Sequence, residues 1–335
     1  MYLIREAGPG DFRGVFALAK ILDSYNLPAD RPFIRELLET SESSFGGLLP
    51  RNKARYLFVL EADRKILGCS LIMAKHGTPG HPHLWFSLDR VEKHSETLKV
   101  RKLHTVLRMG GTEDGPTEVG GLVVLPRYRS RPERCGLQLS YVRYLYMALH
   151  PERFQDTVLI EYRGALGSKG KSPFWEAIGR VFTGLPYRKA DHLSTVNKEF
   201  ILGLLPTEPI YCALLPRPVQ RAIGAIHPSA QPAAALAARI GFRRISQVEP
   251  FDGGPYYTAP REKIRLVREA RPARLLQGRG RVGRPHLVAT ETGGYFRAVL
   301  TVGTISAERF TMEEEAFRRM KVKAGDPAYV CAVPR

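Results

Sequence analysis

Between His227 and Arg243 the chain reads His-Pro-Ser-Ala-Gln-Pro-Ala-Ala-Ala-Leu-Ala-Ala-Arg-Ile-Gly-Phe-Arg. The alanine-rich run from Pro232 to Ile240 predicts a short helix. Ser229 or its neighbour can cap it, and Pro232 is tolerated in its first turn. Gly241 stands where a left-handed stop ends a helix, and Phe242 then opens a strand. A helix that stops on one glycine and passes straight into a strand must pack on the sheet it enters. His227 is fixed at the corner before that helix by Pro228. Imidazole titrates near the pH at which general acid/base catalysis works best, so His227 is a candidate catalytic group.

The chain has 335 residues, 44% of them hydrophobic, which suits one large or two smaller globular domains. No apolar run is long enough to span a bilayer, and the opening Met1-Tyr-Leu-Ile-Arg reads as a first strand rather than a leader. Cys69, Cys135, Cys212 and Cys331 lie far apart, which reads as reduced thiols in a cytoplasmic protein. The net charge of +18 attracts polyanions, from nucleic acid to coenzyme A phosphates, and does not choose between them.

Asp11 can cap a helix carrying Phe12, Val15, Ala19 and Leu22. Residues 25–55 read as polar and broken. Tyr56–Glu61 and Ile66–Ala74 read as a hairpin. Residues 75–117 show one weak strand near Leu84–Leu88. Glu118–Leu125 reads as a strand, Arg127–Gly136 as a basic loop, and a helix follows with Leu139, Val142, Tyr146 and Leu149 on one face. Thr157–Tyr162 is a further strand, and Ser172-Pro173 starts a helix whose Phe174-Trp175 belongs to a core. Residues 183–226 mix short helices and loops. The expected division is a domain over 1–272 with an insertion at about 165–226, a linker over 273–285, and a β-rich unit over 286–335 with Glu308–Met320 as helix.

Several residues are candidates for chemistry. Backbone N–H groups at a helix N-terminus bind phosphate and arginines add charge-assisted contacts, so Arg129, Arg131, Arg134 and Gly136 are candidates to hold a coenzyme's phosphates. Glu161-Tyr-Arg163-Gly164 ends a strand at the edge where ligands sit in open sheets. Arg163 could grip a carboxylate, and Glu161 or Glu118 a cationic tail. An internal Glu–Arg pair is the other reading. Asp252, in Phe-Asp-Gly-Gly-Pro, fits a turn that bonds its own backbone, or could face a basic substrate. His76, His81 and His83 share a Gly/Pro loop. With no acidic or cysteine partner at a metal-site spacing, no metal is expected there. The Gly278–Arg284 tract lacks interleaved aromatics, so nucleic acid is not the expected partner.

The helix–Gly–Phe–strand ending resembles the close of the GNAT acyltransferase fold. Over almost its whole length the chain resembles the bacterial arginine N-succinyltransferases. The resemblance rests on Glu161-Tyr-Arg-Gly164, Ser172-Pro-Phe-Trp175, Arg188-Lys-Ala-Asp191-His-Leu-Ser194, Asn197-Lys-Glu-Phe-Ile201, Pro209-Ile-Tyr211, Ile223-Gly-Ala-Ile-His227-Pro, Gly241-Phe242-Arg and Phe251-Asp-Gly-Gly-Pro255. It implies an α+β fold with a GNAT-like mixed sheet flanked by helices, and a small C-terminal β-rich subdomain. It implies succinyl-CoA as co-substrate with no tightly bound cofactor, and L-arginine as acceptor, with ornithine or another amine as the alternative. A homo-oligomer and a pairing with a paralogous subunit both stay open. His227 falls on the family's proton donor and Leu122 on its succinyl-CoA-binding leucine, with Val124 further along the same strand. Arg134 departs from the pattern, standing where the family's phosphate loop has its first glycine.

Overall fold

The protein is described from a computed structural model, which covers residues 1–22, 24, 26–167, 170–278 and 283–334. The chain enters as β1 (Leu3–Glu6) and continues through α1 (Phe12–Leu22) and α2 (Arg31–Phe45). Sequence alone reads α2 as a broken polar stretch. Its prolines mislead: Asp30 accepts the Phe33 N–H at 2.8 Å as N-cap, and Pro32 lies in the first turn, where no N–H is needed. The helix then buries Ile34, Leu37, Leu38, Ser41 and Ser44, one stripe at helical spacing.

β2 (Arg55–Ala62) and β3 (Lys65–Met73) form the expected hairpin, closed through Asp63 and Arg64, whose φ angles of 47° and 61° give the primed turn that matches strand twist. Strand periodicity splits β2 between two cores. Tyr56, Phe58 and Leu60 face α3 (Cys135–Leu149), while Leu57 and Val59 face α1 and α2. Both faces of this part of the sheet are therefore covered.

β4 (His83–Ser95) and β5 (Val100–Thr112) form a long antiparallel arm where sequence shows one weak strand. The inner half carries the apolar residues Leu84, Phe86 and Leu107, and the outer half is exposed and polar, so no single pattern runs along it. β6 (Thr117–Val124) and β7 (Thr157–Glu161) flank α3 in sequence. Between β7 and β9 the chain builds α4 (Pro173–Ala177), α5 (Gly179–Thr183), α6 (Tyr187–Ser194), α7 (Glu199–Leu204), the short β8 (Ile210–Tyr211) and α8 (Arg217–Ala222). The short helices expected over 183–226 are present. Ser172 caps α4, and Phe174 and Trp175 are core residues packed with Leu84, Phe86 and Leu107. α9 (Gln231–Arg239), β9 (Arg243–Val248) and β10 (Pro255–Pro260) follow, then α10 (Arg265–Glu269). Gly241 at φ 110° makes the stop before β9.

The main sheet runs β1-β2-β3-β6-β7-β10-β9-β4-β5-β8. Its pairings are antiparallel among the described residues except for β6 with β7. β11 (Arg271–Gln277), β12 (Arg284–Thr290), β13 (Arg297–Ser306), β14 (Arg309–Met312) and β15 (Pro327–Ala332) close on themselves in the order β12-β15-β11-β14-β13-β12. The helix α11 (Glu314–Met320) packs Phe317 and Met320 into their core. Two readings change here. The stretch 273–285 is strand at both ends rather than a linker, and residues 279–282 of its Gly/Arg tract lie outside the described residues. Residues 309–312 are strand, so the helix expected from Glu308 starts later. β13 also pairs with β1, which joins these strands to the main sheet. No helix among the described residues is long and apolar enough to cross a membrane.

Candidate active site

β6 and β7 pair only at Thr117↔Val158 and Glu118↔Leu159, and then part. Just beyond the last pair, β6 slips register against β3, between Cys69 and Leu71, at Gly121 with φ 56°. A side chain at Gly121 would also press on Leu71 Cβ at 3.0 Å, so glycine is required twice over. The parted strands leave the β7-facing edge of β6 without a ladder partner. A cavity of about 260 Å³ opens in the gap. Its walls are Val119–Leu122 of β6, Ser140 and Arg143 of α3, Ile160–Arg163 at the end of β7, the Glu249–Asp252 turn, α9 through Ala233 and Ala237, and the insertion through Tyr187, Asp191, Ser194, Lys198 and Ile201.

His227 stands beside this cavity. Its backbone N–H donates to Arg163 C=O at 2.8 Å, and Ile226 bridges Gly164, so the His-Pro corner is tied to the open end of β7. Ser229 and Ala230 line the cavity. The partly exposed His227 ring is not itself in the wall. The ring, not Ser229, caps the turn that leads into α9: Nδ1 accepts the Ser229 N–H at 3.2 Å and lies 2.8 Å from Ser229 Oγ. With Nδ1 accepting, the neutral ring carries its proton on Nε2. The hydroxyl can donate to Nδ1 in that form and accept from Nδ1–H in the imidazolium.

The other expected residues divide. Leu122, Glu161, Arg163 and Asp252 line the cavity. Val124 does not: it is buried in the core behind β6. Glu118 is also a correction to a direct substrate contact. It is 1% exposed and not in the wall, and its oxygens meet Asn26 Nδ2 at 2.6 Å and His76 Nδ1 at 2.8 Å. The two groups it holds, Asn26 and His76, are the ones that reach the cavity. Arg129 Nε donates to Val124 C=O and Arg131 Nε to Arg127 C=O, so both stems fold back on an exposed loop outside the cavity. Arg134 takes the left-handed conformation (φ 53°) at the N-cap of α3, the conformation glycine adopts without strain. The Arg134 side chain does not cap that helix end, and a side chain at Gly136 would meet nothing within 4 Å, so the first turn of α3 is open beside Gly136.

Asp252 is held as a turn residue. Its Oδ1 accepts the Gly254 N–H and its Oδ2 the Gly164 N–H, each at 2.8 Å, which pins the end of β7 to the turn. The internal Glu161–Arg163 pair does not form among the described residues; Glu161 meets histidines instead. Glu161 Oε1 lies 3.6 Å from both His76 Nδ1 and His83 Nδ1 and makes no hydrogen bond. Burial, and then the charge of Glu118, push the Glu161 carboxyl well above the usual range, against the pull of Lys198. Burial would raise Glu118 as well, but His76, Asn26 and Lys198 outweigh it and hold Glu118 low. Burial lowers His76, and it takes His83 down to about 2 with help from His76 and Lys198. The 2.8 Å contact of His76 Nδ1 with Glu118 works against the burial that lowers His76. The buried cluster thus drives two neighbouring carboxyls apart, Glu118 downward and Glu161 upward.

His76, His83 and Glu161 bring ligand atoms within 4.8 Å of one another, a spacing that could hold a metal ion. Sequence spacing hides this, because Glu161 comes from a strand far along the chain. Lys198 Nζ, 3.4 Å from His76 Nε2, places a positive charge against the same cluster and opposes a second cation.

Sequence reasoning also missed Glu249 and Arg143. Glu249 Oε2 accepts the N–H groups of Phe251 and Asp252, and burial together with Asp252 and Glu161 raises its carboxyl well above the usual range. Arg143 lies four residues after Leu139 on the apolar face of α3, and an arginine in such a stripe was the available signal.

A family profile described as arginine N-succinyltransferase beta subunit matches residues 2–266. The chain belongs to the arginine N-succinyltransferase family. Among family members of the same name, that of Enterobacter sp. (strain 638) is 31% identical over 97% of this chain and 96% of its own length. That of Escherichia coli (strain 55989 / EAEC) is 30% identical over the same shares. A solved structure, the arginine/ornithine succinyltransferase subunit AI from Pseudomonas aeruginosa, superposes with a TM-score of 0.87 at 30% identity and covers 100% of this chain and 99% of its own. The α+β arrangement of this arginine N-succinyltransferase family member, with helices flanking a mixed sheet and a strand-rich C-terminal region, is the one expected from sequence.

Proposed function

We propose that the chain transfers a succinyl group from succinyl-CoA to the α-amine of L-arginine. The observation that carries this reading is the gap between β6 and β7, bordered by Leu122 and by the carboxyl-bearing Glu161, Asp191 and Glu249. An extended thioester arm fits between parted strands, and a carboxyl-lined wall suits a cationic amino acid. The phosphates lie outside the cavity, at the N-terminus of α3 with Arg129, Arg131, Arg134 and Gly136.

The acceptor amine attacks as the neutral base. A C–N bond forms, and the thioester oxygen takes negative charge beside the unpaired edge of β6 near Leu122. Collapse breaks the C–S bond, and His227 gives a proton to the leaving thiolate while Ser229 Oγ holds Nδ1. The proton lost by the amine balances the one given to sulfur. Arg163, at the end of β7, is placed to take the acceptor's α-carboxylate.

Ornithine is the second acceptor to test, favoured by the name of the Pseudomonas aeruginosa relative. Purified protein is incubated with succinyl-, acetyl- and butyryl-CoA against arginine, ornithine and lysine, reading thiol release and product mass. Succinylarginine is the expected product, and His227→Ala is expected to lower turnover by about two to four decades with little change in donor affinity. Thiol release from no acyl-CoA, or an unchanged His227→Ala, refutes the reading. The subunit designation of the family supports an assembly, either homo-oligomeric or with a paralogous chain, which sedimentation of the purified protein decides. The four buried, free cysteines support a cytoplasmic location.

A further inference from the structure

Helix α3 is buried along nearly its whole length, and Arg143 sits in it at 3% exposure. Its Nε donates to Ser140 C=O at 3.1 Å, its Nη2 to Ser140 Oγ at 3.2 Å, and its Nη1 to Gly120 C=O at 3.3 Å. The guanidinium also lies 5.7 Å from the Tyr144 ring centroid. All of these partners are neutral. No carboxylate among the described residues forms an ion pair with Arg143, although 33 acidic residues are available in the chain. Guanidinium does not lose its proton in proteins, so burial leaves a positive charge without a counter-charge among the described residues. Three of its five N–H donors are used.

The location of that charge is informative. Arg143 lines the cavity, and the carbonyl that takes its Nη1 belongs to Gly120, one residue before the Gly121 bulge. The charge therefore lies beside the part of β6 where the acyl group is placed, along the helix from the N-terminal end that faces the phosphates. The carboxyl groups of the cavity are on other walls: Glu161 on β7, Glu249 and Asp252 on the turn, and Asp191 on the insertion. The other walls also carry Arg163 and Lys198, but these stand among those carboxyls, whereas Arg143 stands on the β6–α3 wall, which has none among the described residues and so suits an acyl group with an anionic tail.

We propose that Arg143 binds the terminal carboxylate of the acyl group, so that it selects a dicarboxylic acyl-CoA over a monocarboxylic acyl-CoA of the same length. This rests on the acyl transfer proposed above and assigns the residue that chooses the donor. An uncharged acyl chain would leave the buried guanidinium uncompensated, and such a site rejects the analogue that lacks the matching group.

The test uses the full chain, with succinyl-CoA and butyryl-CoA as donors of equal carbon number and arginine as acceptor. Binding of each donor without acceptor is measured by calorimetry alongside kcat/KM. Arg143→Met is expected to lower the succinyl-to-butyryl ratio by about 100-fold in kcat/KM and in donor affinity. Arg143→Lys, which keeps a point charge but loses the planar fork, is expected to lower it by about 10-fold. An unchanged ratio in the variants overturns the assignment, as does a loss confined to the KM for arginine, which would place Arg143 on the acceptor. If Arg143→Met fails to fold, the ratio in Arg143→Lys decides alone. A wild-type protein that binds succinyl-CoA but acylates no amine would fail the proposed function and leave this inference to the binding ratios.

Discussion

Asp252 distinguishes a residue that shapes the cavity from one that serves in it. Its carboxylate is buried and takes two backbone N–H groups, those of Gly164 and Gly254, at 2.8 Å each. Asp252→Ala leaves both donors buried and unmet, at about 1–3 kcal/mol each. Burial also raises the Asp252 carboxyl above its usual range, against the pull of those same N–H groups, so the carboxylate carries a cost that the substitution removes. The net loss is about 2–4 kcal/mol. At roughly 2 °C per kcal/mol for a chain of this size, the melting temperature falls by about 4–8 °C. Asp252→Asn keeps one acceptor oxygen but turns an NH2 toward one of the donors, and should lose about half as much. Because Gly164 pairs with Ile226, and Arg163 C=O with the His227 N–H, loosening the end of β7 also moves the His-Pro corner. Turnover should therefore fall with stability, while KM for the acceptor changes little. Thermal unfolding and steady-state kinetics on both variants check this. A melting temperature within about 1 °C of wild type, with a tenfold rise in acceptor KM, would refute the turn reading and make Asp252 a substrate contact.

Glu161 has a folded-state pKa above its unfolded value, so between the two values the folded chain keeps a proton that the unfolded chain has lost, and stability falls as pH rises through that window. Glu161→Gln removes this slope, so its stability relative to wild type should increase with pH above about 4.5 while acceptor affinity drops; parallel unfolding curves at all pH values would contradict the assignment. Because the Glu161 carboxyl is raised in the free protein, a cationic acceptor that draws it back down should release protons on binding, seen as a buffer-dependent binding enthalpy in calorimetry. Gly121→Ala places a side chain at φ 56° and 3.0 Å from Leu71, which should cost about 1–2 kcal/mol and lower kcat/KM by disturbing the bulge; a variant with wild-type kinetics would show that the bulge does not position the thioester. Arg134→Gly removes left-handed strain of about 1 kcal/mol but gains unfolded-state entropy of similar size, so stability should hardly move while donor KM rises and its salt dependence weakens; an unchanged donor KM would exclude Arg134 from phosphate binding.

Residues whose structure is set by near neighbours were legible in the sequence. The alanine run, Gly241 and Phe242 gave α9, its stop and β9, and Ser172-Pro173 gave the capped start of α4, because caps, left-handed glycines and helix propensity act within a few residues. The strand that ends in Glu161-Tyr-Arg163 and the histidine at its corner were legible for the same reason. The β4–β5 arm and α2 were not. The arm has an apolar inner half and a polar outer half, and the start of α2 is defined by a cap and a proline that resemble a loop when read singly.

Only the folded chain could decide the charges of the site. Glu118 and Glu161 carry the same group, and sequence offered both as partners for a cation. The fold put Asn26, His76 and Lys198 around one and left the other without a hydrogen bond for its inner oxygen, so one carboxyl is lowered and the other raised. The same holds for Arg143, which has no ion-pair partner among the described residues because the fold sets their carboxylates elsewhere. Local sequence sets backbone shape through short-range forces. Ionisation answers to burial and to charges brought close from distant segments, and those distances exist only once the chain has folded.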